Sequence, residues 1–296
     1  MQEVLQEALF KSKGALSKGL ITKVDSIAGG CIHNAWRLKL NDGRQFFAKT
    51  ADDHDFPKFE FEANGLISLK RFSDENLINI PEPLLLEKIN NYSILLLPWL
   101  DFKSGSQRIL GKALALLHKS STKQSPGKFG WALNGFIGSN SQVSGWRNNW
   151  GDCFIQLRLI PQLKIAKKWG LNLSDWNKLL SYLTLFLNEH VTQPSLVHGD
   201  LWSGNSAIQE DGKAVMFDPA VWWGDREVDL AMTKLFGGFS NDFYEGYESI
   251  WPIKESAINR VQIYNLYHLL NHANMFGGSY KNQCISTLKT IKKYIK

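Results

Sequence analysis

Leu196-Val197-His198-Gly199-Asp200-Leu201-Trp202-Ser203-Gly204-Asn205, followed by Val215-Met216-Phe217-Asp218-Pro219, is the stretch on which the fold turns. Two apolar, strand-like runs each deliver a carboxylate into a polar loop. Asp200 and Asn205 are separated by four residues, and Asp218 stands thirteen beyond Asn205. Phosphoryl transfer needs such a set. One carboxylate orients an attacking hydroxyl and takes its proton, while an amide oxygen and a second carboxylate hold Mg²⁺ against nucleotide phosphates. Taken singly, Asp200 or Asn205 reads as a turn residue bonding its own backbone. The ordered combination is what points to chemistry, with Asp200 as base and Asn205 and Asp218 as metal ligands.

The N-terminal third supplies an independent set. Ala28-Gly29-Gly30-Cys31 lies between two expected strands, where Gly29 and Gly30 let backbone N–H groups approach a triphosphate. Phe46-Phe47-Ala48-Lys49 reads as a strand that aims Lys49 at the α- and β-phosphates, steadied by a helix carboxylate. Glu62 is the candidate partner and Glu60 its competitor; helical phase leaves both open. Leu97-Pro98-Trp99-Leu100 falls where an adenine edge would meet backbone. Pro98 has no N–H, so Leu100 is the expected donor, with Trp99 between them.

Hydrophobic periodicity predicts a helix over 3–18, three strands over 20–50 and a helix opened by Pro57. Strands over 84–88 and 92–97 follow, joined by Asn90-Asn91. Beyond Pro98 come a helix over 109–118, a Ser/Gly/Asn-rich surface loop over 120–145, and helices over 146–169 and 173–190. Short strands near 195–198, 206–209 and 214–217 precede a helical C-terminus. The predicted class is α+β in two lobes: a β-rich lobe with one main helix over 1–97, a hinge over 98–101, and a largely helical catalytic and substrate-binding lobe over 102–296. That order resembles a protein-kinase-like fold.

Composition narrows the alternatives. The 296 residues carry a formal charge of +6 with 44% apolar and 12% aromatic residues, 11 of them Trp, which excludes disordered, collagenous and coiled-coil classes. Three scattered cysteines without CxxC spacing fit neither a disulfide framework nor a zinc site. The acidic, amphipathic N-terminus is unlike a signal peptide, and the apolar run 94–100 is too short to span a bilayer. A soluble, cytoplasmic protein with no membrane partner is expected. The basic tail (Lys289, Lys292, Lys293, Lys296) reads as a solvated helix face, so no nucleic-acid partner is expected.

Beyond these residues the chain resembles the fructosamine-3-kinase (ketosamine-3-kinase) family, a branch of the aminoglycoside-phosphotransferase-like kinases. The resemblance is carried by Gly29-Gly30-Cys31-Ile32, the Leu196 to Asn205 loop, Phe217-Asp218-Pro219-Ala220, Gly224-Asp225-Arg226-Glu227-Val228-Asp229-Leu230-Ala231-Met232, Phe243-Tyr244-Glu245-Gly246-Tyr247 and Tyr267-His268-Leu269-Leu270-Asn271-His272-Ala273-Asn274. It runs nearly end to end. The chain departs from it at Ala28, where a third Gly is common, and at Pro98, where an acidic residue is common.

The resemblance implies ATP- and Mg²⁺-dependent phosphorylation of the C3 hydroxyl of ketosamines, free or protein-bound, with release of the amine after the 3-phosphate decomposes. Microbial members look more like ribulosamine or erythrulosamine kinases than fructosamine kinases. Trp202 is expected either to stack on the ketose or to plug the gap between catalytic loop and core, and His268, with His272 one turn on, either to wall the substrate pocket or to pack as core histidines. Asp229, with His198, is expected to hold the catalytic loop in shape. Cys31 is a redox candidate, so the protein is expected as a monomer or a redox-linked homodimer. The competing readings are an aminoglycoside or choline kinase of the same fold, and a non-catalytic nucleotide-binding scaffold.

Overall fold

A computed structural model describes residues 1–12, 14–27, 33–172 and 176–293. The first helix, α1 (Gln2–Lys11), stops short of the expected span. Ser12 turns extended and Gly14 adopts φ +69°, so Gly14–Lys18 forms a separate 3-10 turn. Strands β1 (Ile21–Ile27), β2 (Asn34–Leu40) and β3 (Gln45–Asp52) run antiparallel. Pro57 lies in the first turn of α2 (Phe56–Phe72), where its missing N–H costs nothing. After β4 (Ile78–Asn79), strands β5 (Leu85–Ile89) and β6 (Tyr92–Pro98) form a hairpin. Asn90 and Asn91 both take positive φ (50° and 47°), the pairing that a tight right-twisting hairpin requires.

The five-stranded sheet has the order β1-β2-β3-β6-β5. Strand alternation divides its side chains between two cores. Leu38, Leu40, Phe46, Ala48, Ile94 and Leu96 pack with Leu5 and Leu9 of α1. Leu95 and Leu97 turn the other way and join Phe59, Leu66 and Leu69 of α2 in the main core. Lys49 pairs with Leu95 and so shares that second face.

Beyond β6 follow β7 (Phe102–Lys103) and α3 (Arg108–Thr122). The segment read as a surface loop over 120–145 is instead ordered around β8 (Phe129–Trp131), β9 (Gly135–Ile137) and β10 (Asn140–Gln142), with β11 (Gly145–Arg147) directly after. Gly130 and Gly135 in it serve close approach rather than slack. A Cβ on Gly130 would lie 1.9 Å from the Gly145 carbonyl oxygen, and one on Gly135 would enter the Phe61 ring.

Next come α4 (Trp150–Cys153), a π-helical turn (Phe154–Leu159), α5 (Ile160–Ala166) and α6 (Trp176–Asn188). Strands β12 (Ser195–Val197), β13 (Ser206–Gln209) and β14 (Ala214–Met216) are joined by an unexpected β15 (Trp222–Gly224). Helices α7 (Glu227–Leu235), α8 (Asn241–Glu248), α9 (Ile258–Phe276) and α10 (Ser279–Lys293) complete the chain.

Two further sheets set up the site. One has the order β11-β8-β15-β12, the other β4-β14-β13-β7. In the latter, β4 pairs in parallel with β14 (Ile78 opposite Ala214), stitching chain from before β6 to the strands that carry Asn205 and Asp218. Among the described residues no helix is long and apolar enough to cross a membrane.

Candidate active site

The loop after β12 is fastened from below. Asp229, fully buried on α7, accepts the backbone N–H of His198 (2.7 Å, Oδ2) and of Gly199 (2.8 Å, Oδ1). Its Oδ2 also receives His118 Nε2 of α3 at 3.0 Å, and His118 Nδ1 meets the Tyr247 hydroxyl at 2.9 Å. Burial alone would raise the Asp229 pKa, but the His118 hydrogen bond and charge lead the groups that hold it below the ordinary value. His118 escaped the sequence reading. Its only signal was a histidine in phase with the apolar Leu110, Leu114 and Leu117.

The same loop is laced to the next strand. His198 Nε2 donates to the Phe217 carbonyl (3.0 Å), which fixes the proton on Nε2 because a carbonyl only accepts. The His198 carbonyl accepts Ala220 N–H (2.8 Å), and the Asn205 carbonyl accepts Phe217 N–H (3.1 Å). Gly199, at φ +82°, lets the loops touch. A Cβ there would stand 2.1 Å from the Ala220 oxygen.

This lacing brings the three polar groups of the two loops together. Asn205 Nδ2 donates to the Asp200 carbonyl (2.9 Å) and reaches Asp200 Oδ2 at 3.3 Å and the Asp218 carbonyl at 3.5 Å. Asp200 Oδ1 is buried with no hydrogen-bond partner among the described residues. Burial, then the charges of Asp218 and Asp229, push the Asp200 carboxyl up to about 7. A carboxylate poised there can take a proton near neutral pH. Asp218 occupies the left-handed region (φ 55°), a conformation an aspartate holds only when its surroundings impose it.

Lys49 closes the site from the sheet side. Its ammonium lies 2.8 Å from Glu62 Oε1 and also pairs with Asp218 Oδ1. Burial opposes its charge, but Asp218 and Glu62 together raise its pKa. Burial also raises the Asp218 carboxyl, and the Lys49 ammonium outweighs it, leaving the carboxyl below its ordinary value. The tertiary structure separates the two glutamates that the sequence left open. Glu62 is buried beside Lys49, whereas Glu60 is exposed. Asp218 and Asn205 offer the carboxylate and carboxamide chemistry that a hard divalent cation takes.

Pro98 ends β6, opposite Phe46. Trp99 turns its ring beneath the Arg37 guanidinium (4.2 Å) and donates from Nε1 to Asp101 (2.8 Å). Leu100 is partly exposed. Trp202 is partly buried, its six-membered ring folded over Gly204, where a Cβ would lie 2.2 Å away. Gly29, Gly30 and Cys31 lie outside the described residues.

His268 requires a correction. It is fully buried in α9, neither ring nitrogen has a hydrogen-bond partner among the described residues, and burial lowers its pKa to about 3. It is a core residue and does not wall an open pocket. One turn on, His272 is partly exposed, with its ring 4.7 Å from Phe236 and 5.2 Å from Tyr280. The Phe236 loop in turn abuts the catalytic loop, since a Cβ on Gly238 would stand 2.5 Å from Ser203.

A second polar cluster, His190, Asp225 and Glu227, also has metal-like spacing, but its atoms are already bonded within the protein. Asp225 takes His190 (3.0 Å), Thr192 (3.0 Å) and Tyr264 (2.7 Å), and Arg260 grips both oxygens of Glu227 (2.7 and 2.9 Å). Glu227 and Asp225 belong to the run Gly224 to Met232; here that run is an anchor between α7 and α9.

A β-sheet lobe closed by a lysine–glutamate pair, over two laced loops bearing Asp200, Asn205 and Asp218, has the architecture of the protein-kinase-like and aminoglycoside-phosphotransferase-like folds. The fructosamine kinase family model matches residues 4–294, and the chain belongs to that family. A probable ketoamine kinase of Synechocystis is 39% identical over 268 residues, covering 89% of this chain and 88% of the relative. The crystal structure of a candidate fructosamine-3-kinase from Haemophilus somnus superposes with a TM-score of 0.87 at 28% identity, covering 98% and 97% of the two chains. An amicoumacin kinase solved in complex with AMP-PNP and Ca²⁺ shares the fold (TM-score 0.61, 13% identity, 99% and 93% covered).

Proposed function

We propose that the protein transfers the γ-phosphoryl group of ATP to the C3 hydroxyl of ketosamines, free or attached to protein amines, and so promotes deglycation. The observation that carries this reading is Asp200. It is a carboxyl raised to about 7, with one oxygen unpartnered, beside Asn205 and one loop away from the Lys49–Asp218 pair. An unpaired buried acceptor costs stability unless something is meant to bond it, and a substrate hydroxyl supplies that bond.

In this mechanism Asp200 orients the hydroxyl and takes its proton. The hydroxyl oxygen bonds the γ-phosphorus as the bridging oxygen departs with ADP. Lys49, held by Glu62, offsets phosphate charge. Asn205 and Asp218 would hold Mg²⁺, which supplies charge neutralisation between the phosphates. Trp202 offers a flat apolar face to the ketose, with His272, rather than His268, beside the neighbouring loop. A cytoplasmic enzyme, a monomer or a dimer linked through Cys31, is the matching setting. Family membership and the ketoamine kinase relatives support this substrate class over an aminoglycoside or choline.

The test is incubation with Mg-ATP and ribulosyl-, erythrulosyl- and fructosyl-lysine, with Asp200→Ala as control. Phosphorylation of at least one ketosamine, absent from the variant, is expected. Transfer only to an aminoglycoside or choline would replace the proposal with the competing reading.

A further inference from the structure

One titratable group near the phosphate end has no role in the mechanism above. His33 immediately precedes β2, and Ala35 is paired with Lys49. That pairing puts Ala35 and Lys49 on the face of the sheet turned to α2, and His33, at the bend before the strand, turns to the same side, since its ring meets Phe59 of that helix. Its ring stands edge-on to Phe59 at 4.8 Å, one helical turn before Glu62. Its Nε2 is buried and has no hydrogen-bond partner among the described residues. Burial, then the Lys49 ammonium, lower the His33 pKa to about 4, and Asp218 also lies within its electrostatic reach. The ring is therefore uncharged at neutral pH. It can donate one N–H beside Lys49 without adding like-charge repulsion.

We propose that His33 is a nucleotide-phosphate contact, its Nε2–H donating to a phosphate oxygen of ATP next to Lys49. The proposal rests on the kinase reading and deepens it. Lys49 supplies a point charge, whereas an edge-locked imidazole supplies direction, so the pair fixes where the triphosphate lies. Phe59 packs against the ring, and the bond to phosphate satisfies a nitrogen that has no partner among the described residues.

The experiment compares His33→Phe, which keeps the ring contact with Phe59 but has no N–H, with His33→Gln, which keeps a donor. Binding of Mg-ATP and of adenosine is measured by calorimetry on the full chain. His33→Phe is expected to weaken Mg-ATP about tenfold, the effect of one hydrogen bond to a charged group, and to leave adenosine unchanged. His33→Gln should recover most of that loss. Unchanged Mg-ATP affinity in His33→Phe, or equal weakening of both ligands, overturns the assignment while leaving the kinase reading intact. A wild-type protein that binds no Mg-ATP overturns both.

Discussion

His118 and Asp229 meet at 3.0 Å with both side chains fully buried, and the same carboxylate holds the backbone of His198 and Gly199. One buried carboxylate thus ties α3, α7 and the catalytic loop. Removing it leaves two backbone N–H groups and an imidazole without their acceptor. Asp229→Ala is expected to cost about 3–5 kcal/mol, read as a lower urea midpoint at pH 7. The folded pKa of Asp229 is depressed, so its contribution is present above the unfolded carboxyl pKa and is lost as pH falls through the folded one. The gap between variant and wild type should therefore close toward pH 3. A gap as large at pH 3 as at pH 7 would count against this account.

Asp200 has the opposite sign. Its folded pKa is raised to about 7 from the ordinary value of 3.8, chiefly by burial. Between those values the native state binds the extra proton, so deprotonation on going to higher pH destabilises the fold. Asp200→Asn should melt about 2–4 °C above wild type at pH 8, with the difference fading below pH 4. The same variant should lose roughly 10²–10⁴-fold in kcat/KM. Wild-type kcat/KM should climb with pH through a limb centred near 7. A variant that is less stable than wild type at pH 8 would refute the buried-charge argument.

Glu62 and Glu60 are two residues apart but face different surroundings. Glu62→Gln exchanges the buried carboxyl partner of Lys49 for an amide and should raise KM for ATP about tenfold or more. Glu60→Gln should change stability by no more than ~0.5 kcal/mol and leave KM unchanged. Steady-state kinetics at fixed ketosamine separate the two. Equal effects would mean that Lys49 has no fixed partner.

Gly199 and Gly212 both sit at positive φ, 82° and 91°. A methyl group at Gly212 meets open space, whereas at Gly199 it meets the Ala220 carbonyl. Gly212→Ala should cost only backbone strain, about 1 kcal/mol. Gly199→Ala should cost ~2 kcal/mol or more and should also depress kcat, because the loop carrying Asp200 must move off the following strand. Chemical denaturation beside activity assays checks both.

The acidic and amide residues of the two loops were legible because they are close in sequence. Asp200, Asn205 and Asp218 lie within nineteen residues of chain, flanked by apolar strands whose pairing leaves few arrangements. The long loop expected over 120–145 misled because glycine and serine signal turns and tight packing alike. Only the neighbours of Gly130 and Gly135 show which applies. The depth of a histidine was equally hidden. His268 and His272 share one helix face by spacing, yet α9 buries the first in the core and brings the second to the rim.

The α+β class, the succession of the first strands along the chain and the spacing of the acidic and amide residues were written in the chain itself. These depend on alternation, turn residues and short-range spacing, which neighbours along the backbone dictate. Tertiary packing alone chose Glu62 for Lys49, His118 for Asp229 and an unpartnered oxygen for Asp200. Those choices depend on which side chains from distant segments share a dry interior, where a missing partner is costly and a present one shifts a proton.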